Sequence, residues 1–274
     1  MIVCSCKRTI LSVCIPAYNR PLWLKRAIES ILTTPASQQH KIEIVVSDDS
    51  TVIDCREIAE DLRHQWQGQW KYRSNFPSLG MARNWNHCIK LASSDYVLIL
   101  HDDDYLEPQG VERIINTIEA KPEIPTFLFG VQVVTSQKKI RKTQVICSEQ
   151  YFSPSEALER ILTDSSYIRF PGIVGRKNVF EATGYFNEKI GGIADIQMWI
   201  RICQKCGLYC VPTVVSNYTV HSNALTMDMF NLETIQGLEN IFKSVAATKV
   251  LPQATLLYCK SNYFHQFILA GTVR

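Results

Sequence analysis

Tyr96-Val97-Leu98-Ile99-Leu100-His101-Asp102-Asp103-Asp104 sets a short apolar run directly against three adjacent carboxylates. A β-branched and aromatic run of that length, bounded by polar residues, has the dimensions of a buried strand and not of a helix. Two earlier stretches repeat the pattern. Leu11–Ile15 runs into Pro16-Ala17-Tyr18-Asn19, and Ile42–Ser47 runs into Asp48-Asp49-Ser50. Between the runs, apolar residues recur at helical spacing: Trp23, Leu24, Ala27, Ile28, Ile31 and Leu32 from Pro21 to Leu32, then Ile58, Ala59 and Leu62 within Ile53–Trp66, then a helix from Gly80 to Ala92. With a short strand at Trp70–Tyr72, this βαβ alternation predicts an α/β fold with a mostly parallel, Rossmann-like central sheet flanked by helices. Ligands of such open sheets collect at the carboxyl ends of the strands, and here three of those ends are polar.

The remainder is more mixed. A helix opens at Pro108 with Val111, Ile114, Ile115 and Ile118 inward, and Pro122 ends it. Thr126–Thr135 and the Lys/Arg/Thr-rich stretch to Cys147 read as strands or a hairpin, Pro154–Leu162 and Ala194–Cys206 as helices, Gly172–Arg176 and Val214–Val220 as strands. From Leu232 two helical patterns run to Arg274, which has no capping residue after it and leaves room for a continuation of the chain.

Composition excludes several classes. The 274 residues are 46% hydrophobic and 20% charged, which is a folding composition and not a disordered one. The net charge is +3, from 29 basic and 26 acidic residues, with no basic run longer than Lys138-Lys139, so no nucleic-acid partner is expected. No apolar stretch is long enough to span a bilayer. Lys7 and Arg8 interrupt any secretory leader, so the ten cysteines read as reduced and the location as cytoplasmic. Cys203-Gln204-Lys205-Cys206 is a lone C-x-x-C before Gly207 and reads as a helix end with apolar cysteines. Neither a glycine-rich phosphate cradle nor a G-x-S-x-G elbow is present.

The acidic strand ends carry the chemistry. Adjacent carboxylates repel each other, and Asp102-Asp103-Asp104 at a strand end suits Mg²⁺ or Mn²⁺ sharing its remaining positions with phosphate oxygens and water, against the plainer reading of a solvated turn. Asp48-Asp49 can accept from a ribose hydroxyl or a base N–H, or can cap the helix that follows.

These blocks, in this order, resemble the family 2 glycosyltransferases of the GT-A fold. The likeness covers roughly residues 10–227 and includes Asn75 through Gly80-Met81-Ala82-Arg83-Asn84, Ala194-Asp195-Ile196-Gln197-Met198-Trp199-Ile200-Arg201 and Tyr218-Thr219-Val220-His221-Ser222-Asn223-Ala224-Leu225-Thr226. The resemblance implies a GT-A domain over residues 1–227, with a nucleotide-sugar half at about 10–107 and an acceptor half at about 108–227, and a C-terminal helical segment over 228–274. It implies that Pro16, Tyr18, Asn19, Asp48, Asp49, Arg83 and Asp102 hold a nucleotide-sugar, UDP-type favoured, and that Asp103 and His221 ligate Mn²⁺ or Mg²⁺. Asp195 would be the general base of an inverting transfer, taking the proton of the attacking hydroxyl while the metal neutralises the departing diphosphate; without the family it reads as an acid favoured by a helix N-terminus. His101 stands where the family more often has Asp, and Ala194 where it often has Glu. The implied acceptor is a saccharide or a lipid-linked glycan, in polysaccharide or glycolipid synthesis, with peripheral contact to a membrane face allowed. Two rivals remain: a metal-dependent nucleotidyltransferase or phosphohydrolase, and a silent nucleotide-sugar-binding module.

Overall fold

Strand β1 (Leu11–Ala17) is buried at every position, as a strand between two parallel neighbours must be. In the computed structural model, which describes residues 8–221 and 230–272, it leads through Asn19 at φ 54° into helix α1 (Pro21–Leu32). Pro21 sits at the helix start, where its missing N–H costs nothing, and Leu24, Ala27, Ile28 and Ile31 form the buried face. The short helix α2 (Ala36–Gln39) precedes β2 (Ile42–Asp48), which pairs parallel with β1 from Leu11 opposite Ile42 to Ala17 opposite Asp48. Helix α3 (Arg56–Arg63), β3 (Gln69–Ser74), α4 (Met81–Leu91) and β4 (Tyr96–Ile99) complete a parallel set in the order β3-β2-β1-β4.

Beyond the acidic triplet come β5 (Tyr105–Leu106), α5 (Gly110–Ala120), β6 (Thr126–Thr135), β7 (Ile140–Gln144), β8 (Gln150–Phe152) and α6 (Pro154–Thr163). Helix α6 opens on a reciprocal cap in which Ser153 accepts from the Glu156 N–H and Glu156 accepts from the Ser153 N–H. Strand β9 (Ile173–Arg176), α7 (Lys177–Ala182), α8 (Ala194–Cys206), β10 (Leu208–Val220), α9 (Leu232–Thr248) and α10 (Gln253–Thr272) follow. β6 and β10 are parallel, while β9 lies antiparallel between β4 and β6 and joins the two parallel sets into one sheet.

The alternation along each buried strand divides the core between the two faces of the sheet. Val13, Ile15, Ile44 and Val46 face α1 and α5, whereas Cys14 and Val45 face α4 and, through it, α6 and α8. Each such side chain, fully buried, contributes about 1.5–3 kcal/mol.

One helix boundary departs from the expectation at Pro108: α5 starts at Gly110, after Gln109 takes a left-handed φ of 63°. A side chain at Gly110 would place its Cβ 2.3 Å from the Val215 carbonyl, so the chain first turns over β10 and only then becomes helical. Among the described residues no helix is long and apolar enough to cross a membrane.

Candidate functional site

Because β1 lies between β2 and β4, the parallel register brings Pro16 to Asn19, Asp48 to Ser50 and His101 to Asp104 to one edge of the sheet. Asp103 is the hub. Its Oδ2 accepts from Arg20 Nη1 at 2.7 Å and lies 2.9 Å from His221 Nε2. Burial works to raise its pKa, but the His221 contact and the neighbouring positive charge overcome it and hold the group below the ordinary carboxylate range. The flanking acids behave oppositely. Burial, then the charge of Asp103, pushes Asp102 up to about 7 and Asp104 well above its usual value. The repulsion expected of three adjacent carboxylates is therefore relieved by concentrating negative charge on Asp103, the one that meets Arg20 and His221.

Each neighbour is also anchored. Asp102 accepts from the Tyr18 N–H at 3.0 Å, tying the end of β1 to the triplet, and Asp104 Oδ1 accepts from the Thr219 N–H at 2.8 Å, tying β10 to it. Arg26 donates to the Asp103 carbonyl and to Thr219 Oγ1, with its guanidinium over Trp23 and Tyr105. Trp23 in turn lies against the His221 ring, with centroids 5.0 Å apart.

His101 is packed between Trp85 and Phe170, and burial lowers its pKa to about 4, so the ring is neutral at pH 7. Its Nε2 and the Asp104 Oδ2 are buried and, among the described residues, have no hydrogen-bond partner. His101, Asp103 and Asp104 each offer a ligand atom, all within 4.8 Å of one another. A neutral imidazole and carboxylate oxygens so spaced can share one divalent ion.

The nucleotide-binding expectations fare unevenly. Tyr18 is half exposed at the mouth, with a ring free to stack on a base. Asn19 accepts from the N–H groups of Thr51, Val52 and Ile53 and so shapes the loop after β2. Pro16 is buried in β1 opposite Ser47. Asp48 is given over to structure: it is buried and takes the Ser50 and Cys55 N–H groups and the Ser50 and Tyr72 hydroxyls. Asp49 is tied to the backbone in the same way. Its Oδ1 accepts from Leu79 N at 2.7 Å and Asn75 Nδ2 at 3.1 Å, and its Oδ2 from Ser78 Oγ at 2.7 Å and Gly80 N at 2.8 Å, so its lone pairs hold the loop that starts α4. Arg83 is exposed and pairs with Glu188 at 2.7 Å. Replacing Asp49 with alanine is accordingly expected to destabilise the protein by about 2–4 kcal/mol in urea denaturation, because four donors lose their acceptor. A residue that only reads a base would lose affinity and leave the midpoint unmoved.

Asp195 lies in the first turn of α8, with Oδ1 accepting from the Ile196 N–H at 2.7 Å. Burial pushes its pKa up to about 6, opposed by that N–H and by the charge of Arg169. Tyr218 lies under Arg169 and feels Asp104, Asp103 and Asp195, so β10 links the metal-binding candidates to the candidate base. Trp199, one turn further, is buried against Phe170, Phe180 and Phe186. Ser222 to Thr226 of the motif after His221 lie outside the described residues. Arg20 and Arg26 carry no spacing signature in the sequence; the only hint is a cation just after the first polar strand end.

Residues 12–184 match the family model described as "Glycosyl transferase family 2". The chondroitin synthase of Escherichia coli is 22% identical over 244 residues, covering 86% of this chain and 32% of that protein. Among solved structures, Staphylococcus aureus TarS 1-349 in complex with UDP-GlcNAc superposes with a TM-score of 0.74 at 16% identity, covering 93% of this chain and 72% of that one. The mannosyltransferase PcManGT of Pyrobaculum calidifontis, in complex with GDP-Man and Mn²⁺, superposes with a TM-score of 0.64 at 14% identity, covering 94% of this chain and 70% of that one. The chain spans 66%, 32% and 34% of the length of the first curated relatives it matches.

Proposed function

The chain belongs to glycosyl transferase family 2, and on that premise we propose that it moves a sugar from a nucleotide-diphosphate donor, UDP-type favoured, to a hydroxyl of a saccharide or lipid-linked acceptor. In this reading the transfer inverts the anomeric centre, depends on Mn²⁺ or Mg²⁺, and serves polysaccharide or glycolipid synthesis, with residues 10–107 binding the donor and 108–227 the acceptor. The observation that carries it is Asp103, held ionised between Arg20 and His221 at the carboxyl end of β4.

The residues present fit a divalent cation: His101 and Asp104 hold unpartnered buried atoms beside Asp103, and the donor set is hard oxygen with imidazole nitrogen. Asp103 and His221, joined by His101 and Asp104, would hold it. When bound, the ion supplies charge to offset the negative charge growing on the departing diphosphate. The chain's own groups do the rest. Tyr18 offers a stacking face to the base, and its N–H fixes Asp102 near the ribose side of the site. Arg20 adds positive charge on the diphosphate side. Asp195 keeps Oδ1 on the Ile196 N–H, leaving Oδ2 to take the acceptor's proton as the hydroxyl attacks.

The test is a calorimetric titration of nucleoside diphosphates with and without Mn²⁺ on wild type and His101→Phe, which preserves the aromatic stack and removes the nitrogen. UDP is expected to bind only with Mn²⁺ and to weaken about tenfold in the variant, the 1.4 kcal/mol of one lost ligand contact. Metal-independent binding would sink the metal assignment, and release of pyrophosphate from the donor would hand the site to a nucleotidyltransferase.

A further inference from the structure

Among the described residues, Phe170 is the ring that touches both His101 and Trp199. Its centroid lies 4.2 Å from that of the His101 imidazole, and it meets the Trp199 indole edge to face at 5.1 Å. His101 is otherwise stacked on Trp85, and Trp199 meets the edges of Phe180 and Phe186. Trp199 stands one turn past Asp195 on α8. His101 Nε2 and Trp199 Nε1 are both buried and, among the described residues, have no hydrogen-bond partner. No hydrogen bond at either atom orients its ring, so the orientation rests on the packing of one ring against another.

The backbone holds Phe170 in place. It opens a single 3₁₀ turn, Phe170–Gly172, whose Pro171 carbonyl accepts from the buried Ser216 hydroxyl of β10 at 2.6 Å. A Cβ at Gly172 would stand 2.6 Å from Val131 Cγ2 and 3.0 Å from the Phe129 carbonyl, so the turn is seated directly against β6. Ile173 then enters β9 opposite Leu128. Strand β10 also carries Thr219, whose N–H holds Asp104. One ring, braced by β6 and β10, therefore meets both the imidazole beside the acidic triplet and the helix that carries Asp195.

We propose that Phe170 is a positioning residue for the transfer: its ring sets the plane of the His101 imidazole and seats Trp199, and with it the first turn of α8, so that a metal-holding group and the base are fixed by one side chain. It acts through His101 and Trp199 and not on the substrate. The inference rests on the glycosyltransferase reading, which gives His101 and Asp195 their roles. Leucine at position 170 keeps the core apolar but removes the flat face against the imidazole and the contact with the indole, which frees both rings to turn. Groups that must be held to within about 0.5 Å of the productive geometry do not tolerate that freedom.

The experiment compares Phe170→Leu with Phe152→Leu in the whole chain. Phe152 is as buried as Phe170, 4% exposed against 5%, but its ring lies under Arg160 and, among the described residues, meets neither His101 nor Trp199. Both variants are expected to lower the urea midpoint alike. Only Phe170→Leu is expected to weaken calorimetric UDP binding in Mn²⁺, by about threefold, a part of what losing the ligand itself costs. Only Phe170→Leu is expected to speed hydrogen exchange over residues 194–199, by about tenfold. Added to His101→Phe, it should weaken UDP no further, because the contact it orients is already gone, yet still speed that exchange. Phe170→Met, which also lacks a ring, is expected to behave the same way and carries the test if the leucine variant does not fold. The proposal is overturned if the Phe170 variants match wild type in binding and exchange, if Phe152→Leu changes both as much, or if the UDP loss persists undiminished beside His101→Phe. Wild type that binds UDP in Mn²⁺ while any of these holds would overturn this proposal alone; wild type that fails to bind UDP would take the donor reading with it.

Discussion

Asp103→Asn is expected to lower sugar transfer by about three orders of magnitude, roughly 4 kcal/mol of transition-state stabilisation, in a protein that stays folded. The side chain keeps its shape, so the packing around Arg20 and His221 is preserved; what disappears is the one carboxylate of the triplet that its surroundings hold ionised. Arg20 retains Asp102 within 3.5 Å, so the cation is not stranded, and the loss of the Asp103 charge relieves the repulsion that raises Asp102 and Asp104. The melting temperature is therefore expected to move by only a few degrees. Chelation of the metal in wild type should bring turnover down to the level of the variant, and chelation of the variant should do little more, because both remove the same ion. Full turnover in Asp103→Asn would refute the assignment of this carboxylate. A large fall in melting temperature would instead make the triplet a structural element.

The buried strands were legible because a parallel strand covered on both faces must be apolar throughout, and Leu11–Ile15, Ile42–Val46 and Tyr96–Leu100 are nearly so. Strand β9 was legible as a strand but not as an antiparallel insertion, because the pairing partners of Ile173–Arg176 lie far away in sequence and direction leaves no mark on four residues. The start of α5 slipped by two residues because what delays it is the Val215 carbonyl, a contact with a strand about a hundred residues later. The site shows the same division. Asp103 and His221, named from their motifs, do meet. Asp48 and Asp49 were ambiguous between capping and ligand binding, and the loop donors they collect come from residues no local pattern announces. Arg20 and Arg26 were invisible because single polar residues acquire meaning only when the fold brings them to the acidic triplet.

Asp195→Asn distinguishes a catalytic base from a carboxylate that merely suits a helix N-terminus, because the two roles predict opposite changes in stability. A plain N-terminal acid stabilises its helix by about 0.3–1 kcal/mol, so its removal costs stability at neutral pH. Asp195 is different: burial raises its folded-state pKa to about 6, above the value of about 3.9 in an unfolded chain. A raised pKa means that this group favours the folded state fully only below the unfolded value, and that the contribution is lost as pH rises through about 6. At pH 8 the native protein therefore carries an ionised carboxylate it holds poorly, at a cost on the order of 2–3 kcal/mol. Asparagine fits the same space, can keep an oxygen on the Ile196 N–H, and never ionises. The variant is expected to be more stable than wild type by about that amount at pH 8, with the difference vanishing toward about pH 4. Its turnover is expected to fall by about 10²–10⁴, since nothing else on α8 can take the proton. In wild type, kcat/KM should rise with pH and level off above about 6, and that limb should be missing in the variant. Unchanged turnover, or a loss of stability at pH 8, would return Asp195 to the helix-terminus role. A carboxylate poised just below neutrality is ionised enough to accept a proton and basic enough to keep it through the attack, which is what the base role asks of Asp195.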